Sequence, residues 1–549
     1  MEEKLRLAVG EALAKAGAAD TTFAIEWPSD LSHGDYATNA ALSAAKQLGK
    51  NPRDLAEELA VSLRASLPGI VEKIEVAGPG FINFTLARPV IAGVVKQVGE
   101  LGDEWGKGAS LEGKTYSIEY SCPNPFKEMH IGHLMSTIIG EALSRVTENA
   151  GAHVIRDSYG GDVGPHVAKA LWGLREKGIS APGNAQEIGD AYAHGSRAYD
   201  ESETAKAEID EINKTIYEGT DAELMELWRT GRDISVEAFQ TLYKRLDTHF
   251  DYFLFESETA QPGLELVRDG LARGVFTESE GAVIYEGEKK GLHTLVFITS
   301  KGTPTYEAKE VGLAFLVEER MPNDRRYILT AAEQVGHFAV VKAALEELAP
   351  LVGAKTSHVP HGFLRLMSGK MSSREGNVIT AEGLLRDMTE KAMERADDPL
   401  IAEQVAQGAV KYMILRQAPG GDIIFDPEKS LSLEGDSGPY LQYALVRAKS
   451  VLREAKGNAI DGDAPEKPYT LERLIVRFPE VAETAERERA PHKVTQYLTR
   501  LAGEWNSFYA ANRIIGGEHE GYKLALAKAF ATTMENGLRL LGIPAPERM

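Results

Sequence analysis

Asn124-Pro125-Phe126-Lys127-Glu128-Met129-His130-Ile131-Gly132-His133-Leu134 stands where the periodicity of the chain changes. Before it, Tyr116, Ile118 and Tyr120 alternate as on a strand; after it, Leu134, Ile138, Ala142, Leu143 and Val146 recur at helical spacing. A strand that feeds a helix through such a loop is a βα unit of a parallel α/β sheet. The unpaired N–H groups and dipole of the helix start favour an anion, and Gly132 lets a flat or charged ligand approach the backbone. His130 and His133 add imidazole N–H donors that can bind charge developing on a phosphate during transfer. The stretch predicts a phosphate site in a strand–loop–helix setting.

A second segment lies far downstream: Gly369-Lys370-Met371-Ser372-Ser373-Arg374-Glu375-Gly376-Asn377, between an apolar run (Phe363, Leu364, Leu366) and a helix start near Thr380. Its small Ser and Gly residues suit a mobile loop, and Lys370 and Arg374 can reach a triphosphate. In this order the two segments resemble the H-I-G-H and K-M-S-K-S signatures of class I aminoacyl-tRNA synthetases, the two halves of one ATP site. The resemblance implies ATP binding by His130, Gly132, His133, Lys370, Met371, Ser372, Ser373 and Arg374. Ser373 stands where the second lysine of K-M-S-K-S would be. Arginyl members of the class often lack that lysine, and Lys127, just before H-I-G-H, holds the position that compensates.

Bulk properties bound the rest. A chain of 549 residues should hold several domains, because single cores rarely grow beyond about 250–300 residues. Apolar content of 43% and charged content of 26% are those of an ordinary soluble protein. No apolar run approaches the ~18 residues of a membrane span, so no membrane association is expected. Met1-Glu2-Glu3-Lys4 shows no basic region leading into an apolar one, so no secretory signal is expected. The single Cys122 excludes an intrachain disulfide and a Cys-rich zinc site, and cytoplasmic residence is the default expectation. A net charge of -21 argues against indiscriminate nucleic-acid binding but leaves room for a local basic stripe.

Along the chain, residues 1–105 read as a small α/β unit. Ser32-His33-Gly34-Asp35-Tyr36-Ala37-Thr38-Asn39 leads into a helix with Ala40, Leu42, Ala45 and Leu48, and Val76-Ala77-Gly78-Pro79-Gly80-Phe81-Ile82-Asn83-Phe84 reads as strand, tight turn, strand. Both strings also resemble the N-terminal additional domain of arginyl-tRNA synthetases, which contacts the elbow of the tRNA. Residues 106–395 alternate strands and helices as a doubly wound, Rossmann-type parallel sheet would. Acidic, largely helical sequence over about 185–262, ending in His249-Phe250-Asp251-Tyr252-Phe253, is expected to interrupt it as an insertion. Over 396–549 helical stripes take over: Leu441, Ala444, Leu445, Ala448 and Val451; Tyr497, Leu501, Trp505 and Phe508; Ala527, Ala531, Met534, Leu538 and Leu541. They predict a helical bundle.

The resemblance to arginyl-tRNA synthetases covers nearly the whole chain. It extends through Met135-Ser136-Thr137-Ile138-Ile139-Gly140, through Gly438-Pro439-Tyr440-Leu441-Gln442-Tyr443-Ala444, and through Gly537-Leu538-Arg539-Leu540-Leu541-Gly542-Ile543. It implies an arginine–tRNA ligase that activates L-arginine with ATP and Mg²⁺ and then transfers it to the 3′-terminal ribose of tRNA(Arg). Lys127, His130, His133 and Lys370 would supply the charge, with no zinc and no protein-held metal, in a monomer. It also implies that tRNA must be bound before arginine is activated.

Carried onto this sequence, the family's amino-acid pocket puts Glu119 and Asn124 near the α-amino group, Tyr306 and Gln334 in the lining, and Glu310 against the guanidinium. A planar, always-charged fork is best read by a carboxylate accepting two parallel N–H bonds. The family has Asp where Glu310 stands, so the pocket must absorb an extra methylene. Val163 and His166 replace the family's Trp and Gln in Gly161-Asp162-Val163-Gly164-Pro165-His166, where Asp162 suits either a turn near the substrate or a purely structural one. His337 matches a family histidine or serves as a core histidine, and Cys122 reads as a small packing residue. In the bundle, Tyr509, Asn512 and Arg513 are candidate tRNA contacts, although Tyr509 could instead extend the Trp505–Phe508 core stripe. Two alternatives differ in class. A synthetase for lysine, glutamate or cysteine conflicts with the N-terminal unit, and a non-catalytic RNA-binding paralogue conflicts with the intact ATP-site residues.

Overall fold

The computed structural model describes residues 1–367 and 379–549. In the N-terminal unit, α1 (Glu2–Lys15), α2 (Ala40–Leu48) and α3 (Pro52–Ser66) pack on an antiparallel sheet. Its strands are β1 (Ile25–Glu26), β2 (Tyr36–Thr38), β3 (Val71–Ala77) and β4 (Phe81–Leu86), in the order β1-β2-β4-β3. Asn51 starts α3 by accepting the N–H groups of Arg53 and Asp54, with Pro52 in the first turn; Leu55, Leu59 and Leu63 then fall on its buried stripe. The β3–β4 turn needs Gly80: its φ is +136°, and a Cβ there would meet the Pro52 carbonyl oxygen at 2.8 Å. α4 (Arg88–Leu101) leads out of the unit.

The catalytic sheet begins with β5 (Thr115–Glu119), which feeds α5 (Ile131–Asn149), and β6 (His153–Gly160), which feeds α6 (Pro165–Glu176). The insertion follows as α7 (Ala185–Glu201), α8 (Glu203–Glu218) and α9 (Ala222–Arg245). These close over α6 around a core of their own that includes Trp172, Ile188, Ile209, Leu224 and Trp228. The expected insertion of about 185–262 is too long. Its last part is β7 (Tyr252–Phe255), which pairs parallel with β6 (Asp157 opposite Tyr252), followed by α10 (Glu256–Ala272). A four-residue apolar strand has no periodicity to set it apart from the helices before it.

A small antiparallel sheet, unforeseen in the sequence, comes next: β8 (Thr277–Ser279), β9 (Ala282–Tyr285) and β10 (Leu295–Ile298). After α11 (Tyr306–Arg320), the main sheet resumes with β11 (Arg325–Ala331), α12 (Val335–Leu348), α13 (Pro350–Lys355) and β12 (Thr356–His361). The five strands are all parallel, in the order β12-β11-β5-β6-β7. The chain builds outward from β5 in one direction and then from β11 in the other. The switch point between β5 and β11 opens a crevice at the strands' C-terminal ends, where open α/β sheets hold their ligands.

β13 (Leu364–Leu366) is joined by α14 (Ala381–Met393) and α15 (Pro399–Leu415) to β14 (Ile423–Phe425), with which it pairs in parallel. A short α16 (Pro427–Ser430) precedes the helical bundle: α17 (Gly438–Glu454), α18 (Thr470–Ile475), α19 (Phe478–Arg487), α20 (His492–Ala511) and α21 (Glu520–Leu540). All three apolar stripes read from the sequence are buried there, and Trp505 of α20 stacks on Phe530 of α21 at 4.6 Å.

Buried polar ties join the parts. Glu480 accepts the Tyr36 hydroxyl and the Trp27 indole N–H, and Glu472 accepts Arg88 and Tyr522. Lys411 of α15 donates to the Leu246 carbonyl at 2.7 Å and to the Gly542 carbonyl at 2.5 Å, linking the end of α9 to the end of the bundle. Burial pushes its ammonium down to about 7. Among the described residues, no helix is long and apolar enough to cross a membrane.

Candidate active site

The loop from β5 to α5 is held in a costly shape. Ser121, Cys122 and Phe126 have φ of 69°, 53° and 67°, a region that disfavours side chains by about 1–3 kcal/mol each. The surroundings over-determine it. Ser121 donates its N–H to Ser136 Oγ at 3.0 Å, Phe126 donates its own to Ser235 Oγ at 3.0 Å, and the Phe126 ring is fully buried. That ring lies so close to α9 that a Cβ on Gly231 would meet it at 2.4 Å. The result aims Asn124 across the sheet ends, where its Oδ1 accepts the Gly161 N–H at 2.8 Å. A Cβ on Gly161 would meet both Asn124 Oδ1 (3.0 Å) and Glu256 Oε1 (3.1 Å), so the ends of β5, β6 and β7 converge there.

The turn after β6, with its two departures Val163 and His166, has structural work. Asp162 is buried and accepts the Ser257 N–H at 3.0 Å and the Ser257 hydroxyl at 2.7 Å, fastening this turn to the start of α10. Val163 is buried in the same apolar cluster as Phe126 and Trp228. His166, pushed down to about 4 by burial, is neutral at neutral pH and donates Nε2–H to the Gly161 carbonyl at 2.9 Å.

At the start of α5, His130 Nδ1 accepts the Gly132 N–H at 3.0 Å, and His133 Nδ1 accepts the His130 N–H at 3.2 Å. This is a reciprocal capping arrangement made by imidazoles. Because each Nδ1 is an acceptor, each ring carries its hydrogen on Nε2, an assignment drawn from these partners. The rings stack 3.7 Å apart at 21°. Gly132 is required by this cap, since a Cβ would meet the His130 ring at 2.8 Å. Desolvation, with the nearby charge of Lys127, lowers both imidazoles, His133 to about 3, so both are neutral donors at neutral pH. Lys127 itself reaches over the Tyr192 ring of α7, 5.0 Å from its centre. Capping and phosphate donation are therefore compatible: Nδ1 serves the helix and Nε2–H remains.

Lys370, Met371, Ser372, Ser373 and Arg374 lie outside the described residues. The chain after them is anchored on the histidine site: Ile131 donates to the Ile379 carbonyl at 3.1 Å, Ala381 donates to the Met129 carbonyl at 2.8 Å, and Thr380 caps α14.

Beneath the crevice lies a buried charge cluster. Glu119 ends β5 and ion-pairs with Arg326 of β11; Asp157 sits opposite Glu119 on β6 and accepts Ser117 Oγ at 2.7 Å. Glu310 of α11 joins them. Burial and the charge of Glu119 push Glu310 up to about 8 and Asp157 up to about 7. A cavity of about 350 Å³ runs along Glu310 and Arg326 between β11, β12 and α12, walled by Ile328, Phe338 and His358. Lys309, in the same turn of α11, pairs with Glu256 at 2.6 Å.

Tyr306 opens α11 with 68% of its surface exposed, Gln334 is half-buried in the turn before α12, and His337 Nδ1 lies 3.3 Å from Glu307. Cys122 is half-buried, with its thiol near Glu119 and pushed up by burial, in keeping with a packing role. Sequence reading missed Arg326, Asp157, Glu256 and Lys309. For the first two a signal existed: a charged residue inside a strand that is buried on both faces.

A second polar surface lies on the bundle. The Arg447 guanidinium of α17 sits over the rings of Tyr443 (4.8 Å) and Tyr509 (5.2 Å) and donates to Asn506 Oδ1 at 3.1 Å; Asn506 in turn donates to the Tyr440 hydroxyl at 3.2 Å. Tyr509 is 40% exposed, so it does not extend the core stripe; it rests beside Trp505 at 6.0 Å. Asn512 ends α20 with its amide turned back on the Phe508 carbonyl, and Arg513 donates to the Ile515 carbonyl.

Residues 100–426 match the family described as tRNA synthetases class I (R), catalytic domain. Residues 441–549 match the DALR anticodon binding domain, and 3–86 the arginyl tRNA synthetase N terminal domain. The chain belongs to the arginyl-tRNA synthetase family. It is 33% identical over 584 residues to an arginine–tRNA ligase of Edwardsiella ictaluri, covering 98% of each chain. It is 30% identical over 545 residues to one of Streptococcus agalactiae, covering 96% of this chain and 95% of that one. Among solved structures it is similar to the arginyl-tRNA synthetase of Thermus thermophilus, with a TM-score of 0.82, 26% identity and full coverage of both chains.

Proposed function

We propose that this chain activates L-arginine with MgATP and transfers it to the 3′-terminal ribose of tRNA(Arg). The observation that carries this is the placement of two neutral Nε2–H donors at the start of α5, one loop away from a cluster of buried carboxyls around Arg326 where β5 meets β11. In the first step a carboxylate oxygen of arginine attacks the α-phosphorus of ATP, the bond to the bridging oxygen of the β-phosphate breaks, and pyrophosphate leaves. In the second, the terminal ribose hydroxyl attacks the carbonyl carbon of the adenylate, loses its proton and releases AMP. Such chemistry depends on positioning and on binding developing charge. His130, His133 and Lys127 act on the phosphates from the start of α5, and Lys370 acts from the K-M-S-K-S-like segment.

Glu119 and Asn124 take the α-ammonium group, Tyr306 and Gln334 line the pocket, and Glu310 reads the guanidinium. Unstacked anticodon-loop bases lie on the Tyr440, Tyr443, Arg447 and Tyr509 surface, with Asn512 and Arg513 beside its C-terminal end, because exposed aromatic faces and edge donors are how single-stranded bases are held. The N-terminal unit meets the tRNA elbow, and tRNA binding precedes arginine activation. On this reading the enzyme works as a cytoplasmic monomer, since one chain carries every part the reaction needs. The test is charging of a tRNA(Arg) transcript by the purified chain with MgATP and each of the twenty amino acids, alongside ATP–pyrophosphate exchange with and without the transcript. Arginine alone should be attached, with exchange only when tRNA is present. Charging of another amino acid and not arginine overturns the reading.

A further inference from the structure

Arg326 has no part in the reaction as described above, yet it is the most completely buried charge of the pocket's cationic groups, 2% exposed in the middle of the sheet. Its register opposite Ser117 puts it on the face of the sheet that carries Glu119 and Asp157, and it shares a cavity wall with Glu310. One guanidinium thus serves three carboxyl groups from three other elements: Glu119 by direct ion pair, Asp157 and Glu310 through their charges. The cluster is also incompletely satisfied. Among the described residues, Arg326 Nε and Asp157 Oδ2 are buried without a hydrogen-bond partner. Unsatisfied buried polar atoms carry a cost, and in a native site they call for a function.

With all carboxyls ionised, the four side chains sum to minus two. Arginine brings two cations, its guanidinium and its α-ammonium, and loses its carboxylate charge when it becomes a mixed anhydride with AMP. The neighbouring Glu256–Lys309 pair adds nothing to the balance. We infer that Arg326 is a positioning residue for arginine binding: it holds Glu119 in place and lowers the cost of ionising the carboxyls that the two cations of arginine neutralise. This rests on the reading of Glu119 and Glu310 as arginine-binding residues. Without a cation at 326, three carboxyls in one desolvated site would hold their protons to higher pH. Glu310 already holds its proton to about 8 with Arg326 in place; without that cation the proton would be held to still higher pH, and because a protonated Glu310 cannot accept two charge-assisted bonds, arginine would have to displace it at greater cost. Further charged groups face the cluster. Lys342, Arg489 and His358 line the same cavity, and His358, lowered to about 4, is neutral. Glu307, the other acid near Glu310 on α11, is engaged with His337. None of these is in direct contact with Glu119 as Arg326 is.

The test uses the full-length enzyme with Arg326→Met, Arg326→Lys and Glu310→Gln, measuring arginine KM, ATP KM and kcat in tRNA charging from pH 6 to 9. Arg326→Met should raise arginine KM roughly 10- to 100-fold at pH 7, the scale of losing one charge-assisted contact, with kcat and ATP KM changed by less than about threefold. The excess should shrink toward pH 9 as the carboxyls ionise. Arg326→Lys, which keeps the charge and loses the fork, should recover most of the affinity with the wild-type pH profile. An unchanged arginine KM in the Met variant overturns the inference, as does an increase that is the same at every pH. If the Met variant does not fold, the Lys variant decides: a displaced pH profile overturns the inference, and an undisplaced one with a few-fold higher KM supports it. Glu310→Gln keeps the two readings apart. If it leaves arginine KM unchanged, the pocket assignment itself fails; if it raises KM while Arg326→Met does not, only the role of Arg326 fails.

Discussion

The start of α5 and the end of β5 are separated by a single loop, yet they are prepared for their ligands in opposite ways. At α5 both Nδ1 atoms are engaged by the helix start, both rings are neutral, and each leaves its Nε2–H to donate. At β5 three carboxyls face one guanidinium, and among the described residues two buried polar atoms there have no partner. The difference follows from the ligands. A phosphate in transfer changes its charge distribution during the reaction, and rigid dipoles serve it best because they need no reorganisation. A free amino acid must be chosen from twenty, and a pocket whose carboxyls hold protons until the right cation displaces them converts charge into selectivity.

The most severe test of that contrast is at the histidines. His130→Ala or His133→Ala should lower kcat by ~10²–10³ with modest change in arginine KM, the cost of one lost charge-stabilising donor. His130→Asn sharpens the point, because Asn can still accept the Gly132 N–H as a cap but has no Nε2–H in place. A fall in kcat like that of Ala, at near-normal melting temperature, identifies the free donor as what matters. If Asn restores kcat, the site is only a cap and the contrast with the arginine pocket collapses.

How readable the two regions are from sequence follows from the same geometry. His130, Gly132 and His133 are neighbours in the chain, and the helix start brings them together whatever surrounds it. The histidine cap could therefore be read at once, as could the bundle stripes, whose 3.6-residue spacing is a local property. The proposed arginine pocket draws Glu119, Asp157, Glu310 and Arg326 from β5, β6, α11 and β11, and no spacing in the chain announces that strand order. Glu119 and Glu310 were reachable only through the family resemblance. Asp157 and Arg326 come from strands whose pairing with β5 no local pattern marks. The outer strand Tyr252–Phe255 was absorbed into the insertion for the same reason: it belongs to the sheet by pairing with β6, a contact made nearly a hundred residues away in the chain.

In the arginine pocket, Glu310→Gln removes the charge and nearly keeps the shape, so arginine KM should rise on the order of 10- to 100-fold at unchanged ATP KM. Glu310→Asp, which removes the extra methylene, should do less harm than Gln; equal harm from both would mean that reach rather than charge is what the pocket lacks. The bundle surface offers an intermediate case, satisfied within itself like the α5 site but open to solvent like a binding face. Tyr509→Ala should raise tRNA KM about fivefold, the low end of what stacking one base is worth, and Tyr509→Phe should not. A loss of melting temperature in the Ala variant, without a change in tRNA KM, would make Tyr509 a prop for Trp505 and remove it from the RNA-binding face.

The smallest effect separates the two regions most directly, because their titrations press on stability with opposite signs. His133 is lowered to about 3 in the folded chain, below the ordinary imidazole value near 6.5. The unfolded chain therefore binds the proton first, and stability from this group is lost as pH falls from about 6.5 toward about 3. Glu310 and Asp157 are raised to about 8 and about 7, so the folded chain holds their protons longer than the unfolded one. Their contribution is full below the ordinary carboxyl range and is lost as pH rises through about 7 to 8. The two carboxyls share one site with Glu119, so the transition belongs to the cluster and not to either residue alone. In a chain of this size the shift in melting temperature on the alkaline side should be only a degree or two, since each increment of free energy is spread over a large unfolding entropy. Glu310→Gln should flatten the alkaline limb and leave the acid limb as it was, and His133→Ala should do the reverse. Saturating arginine should also flatten the alkaline limb, because its cations favour the ionised carboxyls that high pH would otherwise force. An alkaline limb that persists unchanged in Glu310→Gln and in the presence of arginine would mean that the cluster carries no excess of protons in the empty enzyme, and the pocket would then be as well satisfied as the helix start beside it.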